Sequence, residues 1–166
     1  TCQNSSMSPT VTSGGSTLTT TYSASGTSLS LSGFPVARGN ATTAAMLRYP
    51  QVYKVGVAQA GNHDNLTYED DWAERYHGLL EKNADGTTNY TGQDNAPKAK
   101  NLKGKLFLLH GLMDDNVPPQ STLQVVDALM KASKDFDLLL LPPARHGFGA
   151  DSYYVMRRRW DYFVKN

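Results

Sequence analysis

From Asn40 onward, apolar and polar positions alternate in two distinct periods, one near 3.6 residues and one close to 2. Ala41–Arg48 (ATTAAMLR) predicts a helix, stopped by Pro50 because proline disfavours helical geometry in the residue before it. Tyr53–Ala60 (YKVGVAQA) and Lys105–Leu109 (KLFLL) read as strands. Ser121–Lys134 predicts an amphipathic helix, with Leu123, Val126, Leu129 and Met130 recurring on one face and Ser121 as its N-cap. Asp137–Leu141 (DLLLL) is a near-continuous apolar run, the mark of a strand buried on both faces. Tyr153–Val164 closes the chain as a helix, with Val155, Trp160 and Phe163 inward and Arg157, Arg158 and Arg159 solvated. Strands alternating with helices argue for βαβ units, an α/β class and a mostly parallel sheet. The strands are too few for a complete large sheet and no internal repeat explains the shortage. The pattern is that of the C-terminal half of an α/β domain.

The texture before Asn40 is different. All 31 charges (16 basic, 15 acidic) lie from Arg38 onward, and 18 of the first 32 residues are Ser or Thr. Thr10–Ser32 is polar low complexity, broken by Gly14, Gly15 and Gly26; only Ser28–Ser32 alternates as a short strand would. Residues 1–39 therefore read as a tail or linker and residues 40–166 as a packed domain.

Composition narrows the function. The chain has 166 residues, 18.1 kDa and a net charge of +1, which provides no basic stripe for nucleic acid. Its apolar runs are far shorter than the ~20 residues of a membrane span. A single cysteine, Cys2, excludes an internal disulfide framework and a cysteine-based zinc site, and no export signal opens the sequence. No metal and no cofactor are implied.

In parallel sheets, functional groups sit on loops just past the carboxyl ends of strands. Two such loops carry chemistry: His110–Pro119 after strand 105–109, and Pro142–Gly149 after strand 137–141. Nucleophilic hydrolysis needs an imidazole to move a proton and a carboxylate to hold that imidazole in the right tautomer. Asp114 and His146, in that order on neighbouring strand ends, match the Asp…His order of α/β-hydrolases. The plainer alternative is a turn at Asp114-Asp115 and a surface histidine at His146.

Residues 40–166 resemble the C-terminal part of the catalytic domain of the prolyl oligopeptidase family of serine peptidases, on its dipeptidyl peptidase IV branch. The likeness is carried by Tyr49-Pro50, Val55-Gly56-Val57-Ala58, Tyr68-Glu69-Asp70-Asp71-Trp72, Glu74-Arg75-Tyr76, Gly78-Leu79, His110-Gly111, Asp114-Asp115-Asn116-Val117 and His146-Gly147. It implies an incomplete α/β-hydrolase fold and cleavage of peptides after Pro or Ala through an acyl-enzyme. It makes Asp114 the triad aspartate, His146 the general base and Asn116 a hydrogen-bond partner for a substrate carbonyl. Tyr68 and Trp72 would line the pocket for the residue before the scissile bond. Flat aromatic faces suit an apolar proline ring, and a spacing of four places both on one side of a helical turn; both would otherwise serve as core aromatics. His63, His77 and His110 are expected to be structural. The resemblance also implies a peptide substrate, a homodimer of the longer parent, and a lean toward the periplasm or the cell exterior. The four Asn-x-Ser/Thr sequons at Asn4, Asn40, Asn65 and Asn89 add little to that lean.

One element is missing. A serine hydrolase of this fold needs a Gly-x-Ser-x-Gly elbow, which belongs just before Ala41. Gly33-Phe34-Pro35-Val36-Ala37-Arg38-Gly39-Asn40 stands there, and the nucleophile slot falls at about Val36, which cannot attack a carbonyl. Three readings follow. The chain is a non-catalytic relative kept for binding, another serine such as Ser30 or Ser32 serves, or the residues before Asn40 are translated out of frame. One choice of codons for Pro35–Asn40, shifted by one base and shortened by one G, reads Ser-Gly-Gly-Ala-Gly-Asn, with the serine at the Pro35 slot. An ester hydrolase of the same fold is a further alternative.

Overall fold

The computed structural model describes residues 10–13, 16–19 and 38–166, with side chains from Gly39 onward. Two short strands, β1 (Thr10–Ser13) and β2 (Ser16–Thr19), pair antiparallel in the Ser/Thr-rich segment. The expected strand at Ser28–Ser32 and the slot at Val36 lie outside the described residues. The packed part follows as α1 (Arg38–Arg48), β3 (Val55–Gln59), α2 (Asp70–His77), β4 (Lys105–Gly111), α3 (Gln120–Lys131), β5 (Asp137–Leu141) and α4 (Ser152–Lys165).

β3, β4 and β5 form a parallel sheet in that order, with Val57 beside Phe107 and Leu109 beside Leu139. Successive side chains of a strand face opposite sides, so β4 serves two cores at once. Leu106 and Leu108 pack with Met46 and Leu47 of α1, Ala58 of β3, and Val125 and Leu129 of α3. Phe107 and Leu109 pack on the other side with Val55, Leu141, Phe148, and Val155 and Tyr162 of α4. This two-sided burial explains the unbroken apolar run of KLFLL.

The helices and the last strand depart from the sequence expectation in instructive ways. α1 begins three residues early, at Arg38, because Gly39 lets the helix meet the end of β3: a Cβ there would overlap the Gln59 carbonyl oxygen and the Gly61 backbone. α3 buries Ser121, Thr122, Val125 and Leu129, leaving Leu123 and Met130 exposed. The inward stripe includes two hydroxyl residues, so apolarity alone turned the predicted face. Ser121 is not the N-cap either. Pro119 holds that place, and Ser121 Oγ instead accepts from the His63 backbone N–H at 2.7 Å. In α4, Trp160 points outward and Tyr162 inward against Phe107, with ring centroids 4.9 Å apart. Arg158 lies over the Phe107 ring and Arg159 donates to Gln59 Oε1 at 3.0 Å, while Arg157 is exposed and paired with Asp161 at 3.5 Å. β5 is not buried on both faces. It pairs only with β4 among the described residues, and Leu138 stays exposed.

Candidate active site

The loops leaving β4 and β5 are laced together by backbone. Leu112 N–H donates to the Leu141 carbonyl at 2.9 Å and Met113 N–H to the Ala144 carbonyl at 3.0 Å. Gly111 is required at that crossing, since a Cβ would overlap the Ala144 carbonyl oxygen. An ion pair between Asp115 and Arg145 ties the same loops at the surface. The Asp115 backbone N–H, then the hydrogen bond and charge of Arg145, hold the Asp115 carboxyl below its ordinary range.

This lacing sets Asp114 against His146. The Asp114 side chain is fully buried, and Oδ1 accepts the backbone N–H groups of Asn116 (3.0 Å) and Val117 (2.9 Å). Its Oδ2 lies 2.9 Å from His146 Nδ1. A carboxylate oxygen accepts, so Nδ1 carries the ring proton and Nε2 is left as the basic nitrogen. Nε2 has no hydrogen-bond partner among the described residues. The His146 ring is nearly half exposed, whereas the carboxylate behind it is sealed. His146 itself sits in a turn closed by Phe148 N–H on the Arg145 carbonyl at 3.0 Å, and Phe148 anchors that turn in the core despite a left-handed backbone (φ 61°).

Asn116 continues the chain of contacts outward. Tyr68 Oη donates to Asn116 Oδ1 at 2.9 Å, which leaves the Asn116 amide N–H groups as its remaining polar function. Burial, followed by the nearby carboxylates Glu69, Asp114 and Asp71, raises the Tyr68 pKa and keeps the phenol a donor. Tyr68 and Trp72 meet edge to face at 5.7 Å, and Trp72 stacks obliquely on Tyr76 at 4.7 Å. The helical-turn argument for the first pair fails, because Tyr68 is extended and precedes α2. The chain turn after Tyr68, not helix periodicity, brings the rings together.

Asp114, His146, Asn116 and Tyr68 therefore form one connected cluster, which Trp72 joins through Tyr68. A second polar group centres on buried Asn95, a residue the sequence did not single out. Asn95 Nδ2 approaches Asn40 Oδ1 of α1 at 2.6 Å and His63 Nδ1 at 3.1 Å. Burial, helped by His110, lowers the His63 pKa to about 3, so the ring is neutral. Of the sequons, Asn40 and Asn89 spend their side chains on internal hydrogen bonds and Asn65 is buried.

The family model described as Prolyl oligopeptidase family matches residues 37–166. The chain belongs to the prolyl oligopeptidase family. Among curated relatives, the "Probable dipeptidyl-aminopeptidase B" of Pyrenophora tritici-repentis is 37% identical over 114 residues, covering 66% of this chain and 13% of that protein. Venom dipeptidyl peptidase 4 of Vespa velutina is 34% identical over 113 residues, covering 66% of the chain and 14% of the relative. The crystal structure of Porphyromonas gingivalis dipeptidyl peptidase 4 superposes with a TM-score of 0.70 at 25% identity, over 77% of this chain and 18% of that one. A solved Bacteroides ovatus protein gives the same TM-score and coverage at 34% identity. The fold is thus that of part of an α/β-hydrolase domain, and the chain spans about one seventh of the curated relatives' length. Among the described residues, no helix is long and apolar enough to cross a membrane.

Proposed function

We propose that residues 40–166 belong to the catalytic domain of a serine peptidase that cleaves peptides after Pro or Ala. The Asp114–His146 contact at 2.9 Å, with the carboxylate sealed and the imidazole open, is the observation that carries this reading. His146 Nε2 takes the proton of the attacking serine and returns it to the leaving amine, while Asp114 holds the Nδ1–H tautomer and steadies the imidazolium. Asn116, its Oδ1 occupied by Tyr68, offers its amide N–H groups to a substrate carbonyl. Tyr68 and Trp72 offer ring faces to the proline.

The serine itself belongs at the slot near Val36, and we propose that the residues before the family match at residue 37 are out of register with the family fold. The charge-free composition up to Ala37 and the start of the family match at residue 37 support that reading. As written, with valine in the slot, the chain is inactive, since loss of the nucleophile removes most of the catalytic advantage. The second reading, a non-catalytic interaction domain, is favoured by that same valine. Exposed Tyr153, Trp160 and Val164 on α4 support a homodimer of the longer protein.

The deciding experiment is hydrolysis of a Gly-Pro chromogenic substrate by the in-frame, full-length protein. Turnover that His146→Ala removes by a thousandfold or more supports the peptidase. No turnover and no fluorophosphonate labelling would leave the interaction domain.

A further inference from the structure

His110 is the penultimate residue of β4, four residues before Asp114, and its side chain is wholly buried. Its Nε2 lies 2.9 Å from the Val117 carbonyl oxygen and 3.3 Å from Asp114 Oδ2. Its Nδ1 lies 2.7 Å from Thr122 Oγ1 of α3. A carbonyl and a carboxylate only accept, so Nε2 carries the proton. Nδ1 is then a lone pair, and the Thr122 hydroxyl donates to it. The acceptors on Nε2 set the tautomer, and the Thr122 hydroxyl, able to donate or accept, fits it. Burial lowers the His110 pKa, outweighing the opposing pull of Val117 and Asp114, so the ring is neutral. A hydrophobic residue would fill this place at the end of an apolar strand without any polar group to satisfy. Histidine there touches both sides of the Asp114 cradle: Val117 is held through its carbonyl by His110 and through its N–H by Asp114 Oδ1.

We propose that His110 is a positioning residue for the Asp114–His146 pair, an imidazole whose Nε2–H, set by the Val117 carbonyl and with Thr122 on Nδ1, braces the Asp114 carboxylate toward His146 Nδ1. The inference rests on the assignment of His146 as the base. It adds a third member behind the pair, one that touches neither substrate nor nucleophile.

The test is ¹⁵N NMR of the histidine rings in the 166-residue chain, which reports each tautomer directly. Wild type is expected to show His110 as Nε2–H and His146 as Nδ1–H. In His110→Phe, the ratio of Nδ1–H to Nε2–H at His146 falls about fivefold as the brace is lost. In His110→Gln, whose amide nitrogen reaches the former Nε2 position, that ratio returns to within about twofold of wild type. A merely structural histidine would leave the His146 ratio unmoved. Observation of His110 as Nδ1–H, or an unchanged His146 ratio in folded His110→Phe, overturns the proposal while leaving the pair intact. Should that variant not fold, Thr122→Val removes only the hydroxyl, and an unchanged His146 ratio there is equally fatal. Wild-type His146 found as Nε2–H would instead sink the assignment of the base, whatever His110 does.

Discussion

Replacing Asp114 by Asn keeps the shape of a buried side chain and removes one negative oxygen. The carboxylate meets two backbone N–H groups at 3.0 and 2.9 Å on Oδ1, and His146 Nδ1 at 2.9 Å on Oδ2. His110 Nε2 stands a further 3.3 Å from Oδ2. An asparagine has a single acceptor oxygen, and its best placement keeps that oxygen on the backbone pair. Those two bonds drop from charged to neutral strength, costing about 1 kcal/mol each. The new amide NH₂ then faces the His110 N–H donor to donor, adding about 1 kcal/mol for a buried group left opposed. The sum, about 2–4 kcal/mol, lowers the thermal midpoint by roughly 6–12 °C at ~3 °C per kcal/mol for a domain of this size. His146 should switch to Nε2–H at the same time, its Nδ1 now accepting from the amide. Urea unfolding with linear extrapolation measures the first effect and ¹⁵N NMR the second. A loss below about 0.5 kcal/mol with an unchanged His146 tautomer would show that Asp114 neither organises its loop nor orients the imidazole.

Further outcomes follow from the same geometry. His63 is held neutral with a pKa of about 3, while in the unfolded chain it titrates near the ordinary value of 6.5. The unfolded state therefore binds the extra proton, so stability is fully present above pH ~6.5 and falls toward pH ~3 by up to about 1.4 kcal/mol per unit. Urea midpoints at pH 7, 6 and 5 should fall in that order, His63→Asn should flatten the slope, and a flat wild-type profile would contradict the burial argument. Gly39→Ala drives a Cβ into the Gln59 carbonyl and the Gly61 backbone, and should cost about 2–3 kcal/mol by thermal unfolding; a neutral result would mean α1 does not meet β3 there. Tyr68→Phe removes the bond to Asn116 Oδ1 and frees the Asn116 side chain to turn. In the active full-length protein it should lower kcat/KM on a Gly-Pro substrate by about three- to tenfold, and an unchanged value would detach Tyr68 from the substrate site.

Much of this arrangement was legible from residues alone, for physical reasons that differ by element. β4 was readable as a strand from its apolar run, and the Asp114–His146 order because the loops after strands carry the chemistry, whereas the rule for doubly buried strands was applied to β5, which leaves Leu138 exposed. The inward face of α3 was misread since Ser121 and Thr122 face inward to serve His63 and His110, polar work that hydrophobic periodicity does not register. Trp160 was placed inward for its size, yet Tyr162 takes the core position because Phe107 stands opposite it. Tyr68 and Trp72 were paired for a helical reason, and their rings meet across an extended segment instead. The supporting role of His110 left one readable trace: a histidine closing the run Leu106-Phe107-Leu108-Leu109, where a titratable ring needs partners to remain buried.

That Asp114 and His146 serve a serine nucleophile is tested most directly by resequencing the source DNA from well upstream of Thr1 through the codon for Met46. The predicted result is a corrected frame that reads Gly-x-Ser-x-Gly before Ala41, restoring a serine close to the slot now occupied by Val36. Confirmation of the present frame, with valine standing where the nucleophile belongs, would contradict it and make Asp114 and His146 relics of a lost activity.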